Sequence, residues 1–135
     1  MPLIHVDPRF LNNVWSKAAP QLQRSLDINA DNESIEQLEL LIRQGRQSLL
    51  VWLDDAGELA GAATVEFIDY PKMRVAHVTH MGGKGIVREH IFKEAQEWMR
   101  ANGATVAQCW CQDNLVGMYE KMGMTNTHKV MRMTL

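Results

Sequence analysis

The chain has 135 residues, 46% of them hydrophobic and 22% charged, with a formal net charge of −2. That length suits one domain spanning 1–135, and the near-balanced charge gives no electrostatic case for nucleic acid or an anionic membrane. No apolar run approaches the ~18–20 residues that span a bilayer. The first residues, Met1 to His5, lack the basic region and apolar core of a signal peptide, so a cytoplasmic location is expected.

Leu3 to Val6 reads as a short strand. Asp7 and Pro8 form a helix start, Asp as N-cap and Pro at the first helical position. Phe10, Leu11, Val14, Trp15 and Ala18 follow at helical spacing, and Pro20 is expected to end or kink that helix. Residues 29–32 are polar loop. Ser34 and Gln37 match a capping box, Ile35, Leu38, Leu41 and Ile42 make an apolar face, and Gly45 is a helix stop.

Ser48 to Leu53 is an apolar run of strand length, followed by the turn chemistry of Asp54-Asp55-Ala56-Gly57. Leu59, Gly61, Ala63, Val65 and Phe67 alternate with Ala60, Ala62, Thr64 and Glu66, which completes a hairpin. After the Tyr70-Pro71 turn, 74–79 is another strand. The stretch Gly82-Gly83-Lys84-Gly85-Ile86 follows, ahead of a helical pattern over 86–101.

A glycine-rich turn before a helix can cradle a phosphate. Glycine permits close backbone approach, and the helix start offers unpaired N–H groups with partial positive charge. Such a turn is equally often only a tight turn. Residues 106–111 read as a strand, Asp113 or Asn114 as the cap of a helix over 115–122, and 129–135 as a closing strand with Met131, Met133 and Leu135 on one face. Cys109 and Cys111 would share one face of their strand. They have no partner pair for zinc and are expected to be packed, reduced thiols without metal.

Two segments carry a family resemblance. His80-Met81-Gly82-Gly83-Lys84-Gly85 resembles the pyrophosphate loop of the GNAT superfamily, Gln/Arg-x-x-Gly-x-Gly/Ala, with His80 at the Gln/Arg position. Met118-Tyr119-Glu120-Lys121-Met122-Gly123-Met124 resembles the family's late helix, Leu-Tyr-Glu-Lys-Leu-Gly-Phe. The order of elements is also similar from end to end. There are departures: Gly82 stands where the family usually has Arg, and Asn114 lies two residues closer to Tyr119 than the family's Asn, whose strict offset falls on Gln112.

The resemblance implies an α/β (α+β) fold. It would hold a mixed, mostly antiparallel sheet of about six to seven strands flanked by about four helices. That sheet would splay between strand 74–79 and strand 106–111. It also implies an N-acetyltransferase that moves an acetyl group from acetyl-CoA to the primary amine of an unidentified acceptor, with no metal. The implied partners are acetyl-CoA and an amine-bearing acceptor, with a homodimer allowed and neither nucleic acid nor membrane involved. The implied cofactor contacts are Val78, His80, Met81, Gly82, Gly83, Lys84, Gly85, Ile86, Asn114 and Tyr119.

Acyl transfer from a thioester to an amine needs a held donor, a polarised carbonyl and a proton for the leaving thiolate. In the family the helix Tyr supplies that proton, here Tyr119, although simple cofactor contact is the alternative. The candidate bases are His77 and Glu66, with Asp69 by the turn as a weaker one, although a residue of each kind at such a place is more often an ordinary core, strand or surface residue. A competing reading is a degenerate member that binds CoA or a protein partner without catalysis. A mononucleotide or dinucleotide fold is disfavoured, because neither a Walker pattern nor Gly-x-Gly-x-x-Gly with a later acidic ribose partner occurs.

Overall fold

The computed structural model describes residues 3–28, 32–86 and 88–135. Most of the expected 29–32 loop, and Val87 of the expected helix, lie outside the described residues. In chain order the elements are β1 (Leu3–Val6), a 3-10 turn (Pro8–Asn13), α1 (Trp15–Ile28), α2 (Ile35–Arg43), β2 (Ser48–Leu53), β3 (Leu59–Tyr70) and β4 (Met73–Gly83). Then come α3 (Glu89–Ala101), β5 (Val106–Cys109), a 3-10 turn (Asp113–Leu115) and α4 (Val116–Lys121).

One sheet runs β1-β2-β3-β4-β5. The first four strands pair antiparallel, and β5 joins β4 in parallel. The α3 crossover is what allows that last parallel pairing. Strand alternation sends side chains to two separate cores. Leu11, Leu22, Leu38, Ile42, Leu49 and Val51 pack under α1 and α2 on one face. Leu50, Trp52, Val65, Ala76, Ile91 and Met99 pack under α3 on the other.

Local chemistry explains most boundaries. The Asp7 carboxylate accepts from Arg9 N at 2.9 Å and Pro8 opens the first turn. Ser34 and Gln37 close a reciprocal capping box at the start of α2, with Ser34 N donating to Gln37 Oε1 at 2.8 Å. Asp54 ties the β2–β3 turn by accepting from Ala56 N and Glu58 N.

Several expectations are corrected. Pro20 neither ends nor splits its helix: the break falls at Val14, and Pro20 sits inside α1. The first turns form a 3-10 helix instead, and the loss of one N–H at Pro20 is tolerated because Ala18 and Leu22 beside it are fully buried. The strand expected over 74–79 runs from Met73 to Gly83, through two of the glycines. The helix expected from 86 starts at Glu89, and the strand expected over 106–111 ends at Cys109.

Neither Asp113 nor Asn114 caps a helix. Gln112 precedes the 3-10 turn and Leu115 precedes α4, each without a side-chain cap bond. The closing strand over 129–135 does not form, so the described residues hold five strands where about six to seven were expected.

Candidate active site

β4 and β5 are in register from Val75 with Val106 to Val78 with Cys109. Beyond that point β4 continues to Gly83 while the chain leaves β5 at Trp110. The sheet therefore opens into a gap edged by the unpaired side of residues 79–83. A register shift between Thr64 and Val65 leaves Thr79 without a partner on β3, at the place where the gap opens. A bulge at such a point re-aims backbone and side chain together. Here the Thr79 hydroxyl donates to Gln47 Oε1 at 2.8 Å and lies 2.6 Å from the Thr64 hydroxyl.

The glycines divide by role. A Cβ on Gly82 would run into the backbone of Gln21 on α1, and one on Gly83 into Ala60 and Gly61 of β3. Both glycines serve close packing of β4. The Lys84 N–H is also committed, donating to the Ala60 carbonyl at 3.0 Å. Gly85 differs: its φ is +85°, and a Cβ there would meet only the Arg88 side chain, at 3.7 Å. The N–H groups of Gly85 and Ile86 make no backbone bond to another described residue. Lys84 and Arg88 are exposed beside them. Unpaired amides, an open glycine and two cations ahead of α3 fit an anionic diphosphate. A cleft of about 370 Å³ lined by Gln21, Trp52, Ala60, Lys84, Gly85 and Arg88 lies beside this loop.

His80, expected to orient a loop, is a strand residue and is only 3% exposed. Its Nε2 lies 2.5 Å from the Glu33 carboxylate and its Nδ1 2.8 Å from the Ser25 hydroxyl. It ties β4 to α1 and to the connection before α2. Val78 and Met81 pack against the α3-side core, and Asn114 is exposed in the turn before α4.

Register assigns the chemical groups to faces. His77 faces Glu66 on β3 and Gln108 on β5, on the side of the sheet covered by α1 and α2. His77 is 8% exposed, with Trp110 edge-on at a centroid distance of 5.1 Å. Burial pushes its pKa below the usual imidazole value, against the opposing pull of Glu66. Gln108 Nε2 lies 3.1 Å from His77 Nδ1. With that amide donating, the remaining hydrogen sits on Nε2.

On the other face Cys109 pairs with Val78, and the Tyr119 hydroxyl neighbours the Cys109 thiol. Burial pushes the Tyr119 hydroxyl well above its ordinary value, and the neighbouring Cys109 adds to the shift. Burial also raises the Cys109 thiol. Asp69 is occupied by Arg74, with Nη1 to Oδ1 at 2.8 Å. Both cysteines are free; Cys109 is half-buried, whereas Cys111, expected to be packed, is exposed.

The structure thus brings His77 and Glu66 together across a pair of strands, and sets Tyr119 beyond the sheet from them. Sequence reasoning missed Gln108, Trp110, Arg88, Ser25 and Glu33. Gln108 and Trp110 become visible only through the β4–β5 register. Glu33 and Ser25 become visible only once α1 is packed on β4.

Neither a family model nor a curated protein sequence matches the chain. Solved structures do. Glucosamine-6-phosphate N-acetyltransferase from Arabidopsis thaliana superposes with a TM-score of 0.65 at 12% identity, over 98% of this chain and 96% of its own. An aminoglycoside acetyltransferase from an uncultured soil metagenomic sample gives 0.70 at 11% identity, over 98% and 97%. A protein described as a predicted acetyltransferase from Clostridium acetobutylicum, solved with acetyl-CoA, gives 0.63 at 11% identity, over 98% and 94%. The chain has the fold of the GNAT acetyltransferases.

Proposed function

We propose that this protein is an N-acetyltransferase that moves the acetyl group of acetyl-CoA to a primary amine. The observation that carries the reading is the gap after Val78 and Cys109, with unpaired amides at one end and chemical groups on both faces. The diphosphate sits on the Gly85 and Ile86 amides, with Lys84 and Arg88 balancing its charge. The pantetheine arm follows the unpaired edge of β4, past His80 to Gly83. Its thioester reaches the level of Val78, beside Tyr119.

The amine enters from the face of His77 and Glu66. Its nitrogen attacks the carbonyl carbon, the C–S bond breaks, and the thiolate takes a proton from Tyr119. The amine's proton passes to His77, Glu66 or water. A base at His77 Nε2 requires the Gln108 amide to present its oxygen to Nδ1, so Gln108 selects the tautomer. A cytoplasmic location goes with this reading; among the described residues no helix is long and apolar enough to cross a membrane.

A second reading, a binder of CoA without catalysis, draws support from Gly82 in place of the family's Arg and from the Cys109 thiol beside Tyr119. Calorimetric titration with acetyl-CoA, followed by a thiol-release screen against an amine panel, separates the two. The enzyme reading expects saturable binding in the range of about 1 μM to 1 mM and thiol release with at least one amine. Binding without release across the panel supports the binder. Absence of binding by folded protein removes both.

A further inference from the structure

We infer that Ser25, His80 and Glu33 form a nucleophilic triad, in which the Ser25 hydroxyl takes an acyl group from a small thioester or activated ester and passes it to water. Side chains from three parts of the chain converge here. Ser25 comes from the last turn of α1, Glu33 from the connection before α2, and His80 from β4. His80 Nδ1 lies 2.8 Å from the Ser25 hydroxyl, and Nε2 lies 2.5 Å from the Glu33 carboxylate. A carboxylate only accepts, so the ring hydrogen sits on Nε2 and points to Glu33. Nδ1 is then an acceptor, and the Ser25 hydroxyl donates to it. This is the polarity by which a carboxylate and an imidazole activate a serine, and it is defined by geometry and roles, whatever the order along the chain.

Burial changes along the triad as the chemistry needs. His80 is 3% exposed and the Glu33 side chain 19%, so the charge pair formed when the imidazole takes a proton is shielded from water. Ser25, at the other end, is only half-buried. His77 meets a neutral amide, Gln108, where His80 meets a carboxylate. The β4–β5 pairing ends at Val78, so the triad stands where the sheet opens, and the unpaired edge of β4 offers N–H donors to an oxyanion. Ser25 Oγ attacks the carbonyl carbon while its proton passes to His80 Nδ1, and Glu33 balances the imidazolium. The C–S or C–O bond then breaks, the leaving thiolate or alkoxide takes that proton, and the acyl group stays on Ser25 as an ester. Water attacks the ester and gives a proton to Nδ1, and the departing Ser25 oxygen takes it back. The sum is thioester or ester plus water to carboxylic acid plus thiol or alcohol.

The test treats the full chain with p-nitrophenyl acetate and with a small alkyl fluorophosphonate, which loses fluoride to an activated serine and leaves a stable phosphonate ester. Neither probe is a CoA derivative, so failure here leaves the acetyl-CoA reading standing, and failure of that reading leaves the triad standing. Wild type is expected to hydrolyse the acetate and to carry the phosphonyl group on Ser25, located by peptide mass spectrometry. Ser25→Ala should lose that label, and its hydrolysis should fall at least about tenfold. Glu33→Gln keeps the shape, but its amide donates to Nε2 and favours the wrong tautomer, so labelling of Ser25 should slow at least about tenfold. If Glu33→Gln does not fold, His80→Gln makes the same comparison. A folded wild type whose Ser25 stays unlabelled overturns the inference, whatever its hydrolysis. Labelling of Ser25 that is as fast in the folded variant as in wild type overturns it as well, because the serine would then be reacting without the relay.

Discussion

Tyr119 already neighbours a sulfur in the structure, the Cys109 thiol. A phenol pushed upward by burial stays protonated through the neutral range, so the proton is in place. It is also given up less readily to a thiolate whose conjugate acid lies near about 8.5. Tyr119→Phe keeps the ring and removes only the hydroxyl. Turnover on a working amine should fall by about 10²–10⁴ while acetyl-CoA affinity moves less than about tenfold. The wild-type pH–rate profile should show no tyrosine ionisation below about pH 10. A turnover within about threefold of wild type would assign the proton to water.

His77 makes a different prediction at the same scale. Its folded pKa is below its unfolded value, so the unfolded chain binds more protons between the two. Stability is therefore complete above about pH 6.5 and declines as pH falls through the folded value. His5 is shifted the same way by burial and adds to the slope. His77→Gln should flatten the fall in Tm between pH 7 and pH 5 without abolishing it. An unchanged slope would mean that His77 is not protected from protons in the folded state.

At the scale of elements, the boundary between β4 and α3 decides how the glycines behave. Gly82 faces the Gln21 backbone, which cannot move aside as a side chain end would. Gly82→Ala should lower stability by about 1–3 kcal/mol or more through overpacking. Gly85→Ala makes only an ordinary contact with the Arg88 side chain and meets the strain of positive φ, about 1–2 kcal/mol. It should fold and bind acetyl-CoA more weakly. Thermal melts paired with calorimetry check both, and equal loss of affinity in the two folded variants would spread the phosphate contact back over β4.

The glycine stretch was legible as a feature, but its division was not. Gly83 pairs with Gly61, and that contact exists only in the β3–β4 register. Pro20 misled for a similar reason, since a rule about isolated helices was outweighed by burial of the residues around it. The capping box at Ser34 and the turn at Asp54 were legible in full, because every partner lies within a few residues.

For the whole molecule, two cores on opposite faces of one sheet should act independently. Leu22 and Ile91 are 0% and 2% exposed, one in each core. Leu22→Ala and Ile91→Ala should each cost about 2–5 kcal/mol in urea unfolding. The double variant should equal the sum within about 0.5 kcal/mol. A large departure from additivity would mean the sheet couples the two layers.

By itself the sequence determined the order of the five strands that form and the approximate place of most helices, the hairpin turns and the two motifs that point to acyl-CoA, because these depend on periodicity and near neighbours. Only the tertiary structure decided that β4 runs through Gly83, that His80 is buried against Ser25 and Glu33, and that Gln108 and Trp110 meet His77. It alone decided that the strand pattern over 129–135 finds no partner within the protomer. Each of these rests on a long-range register or a packed interface. A strand pattern states which face is apolar, and it takes an available edge to turn that pattern into a strand.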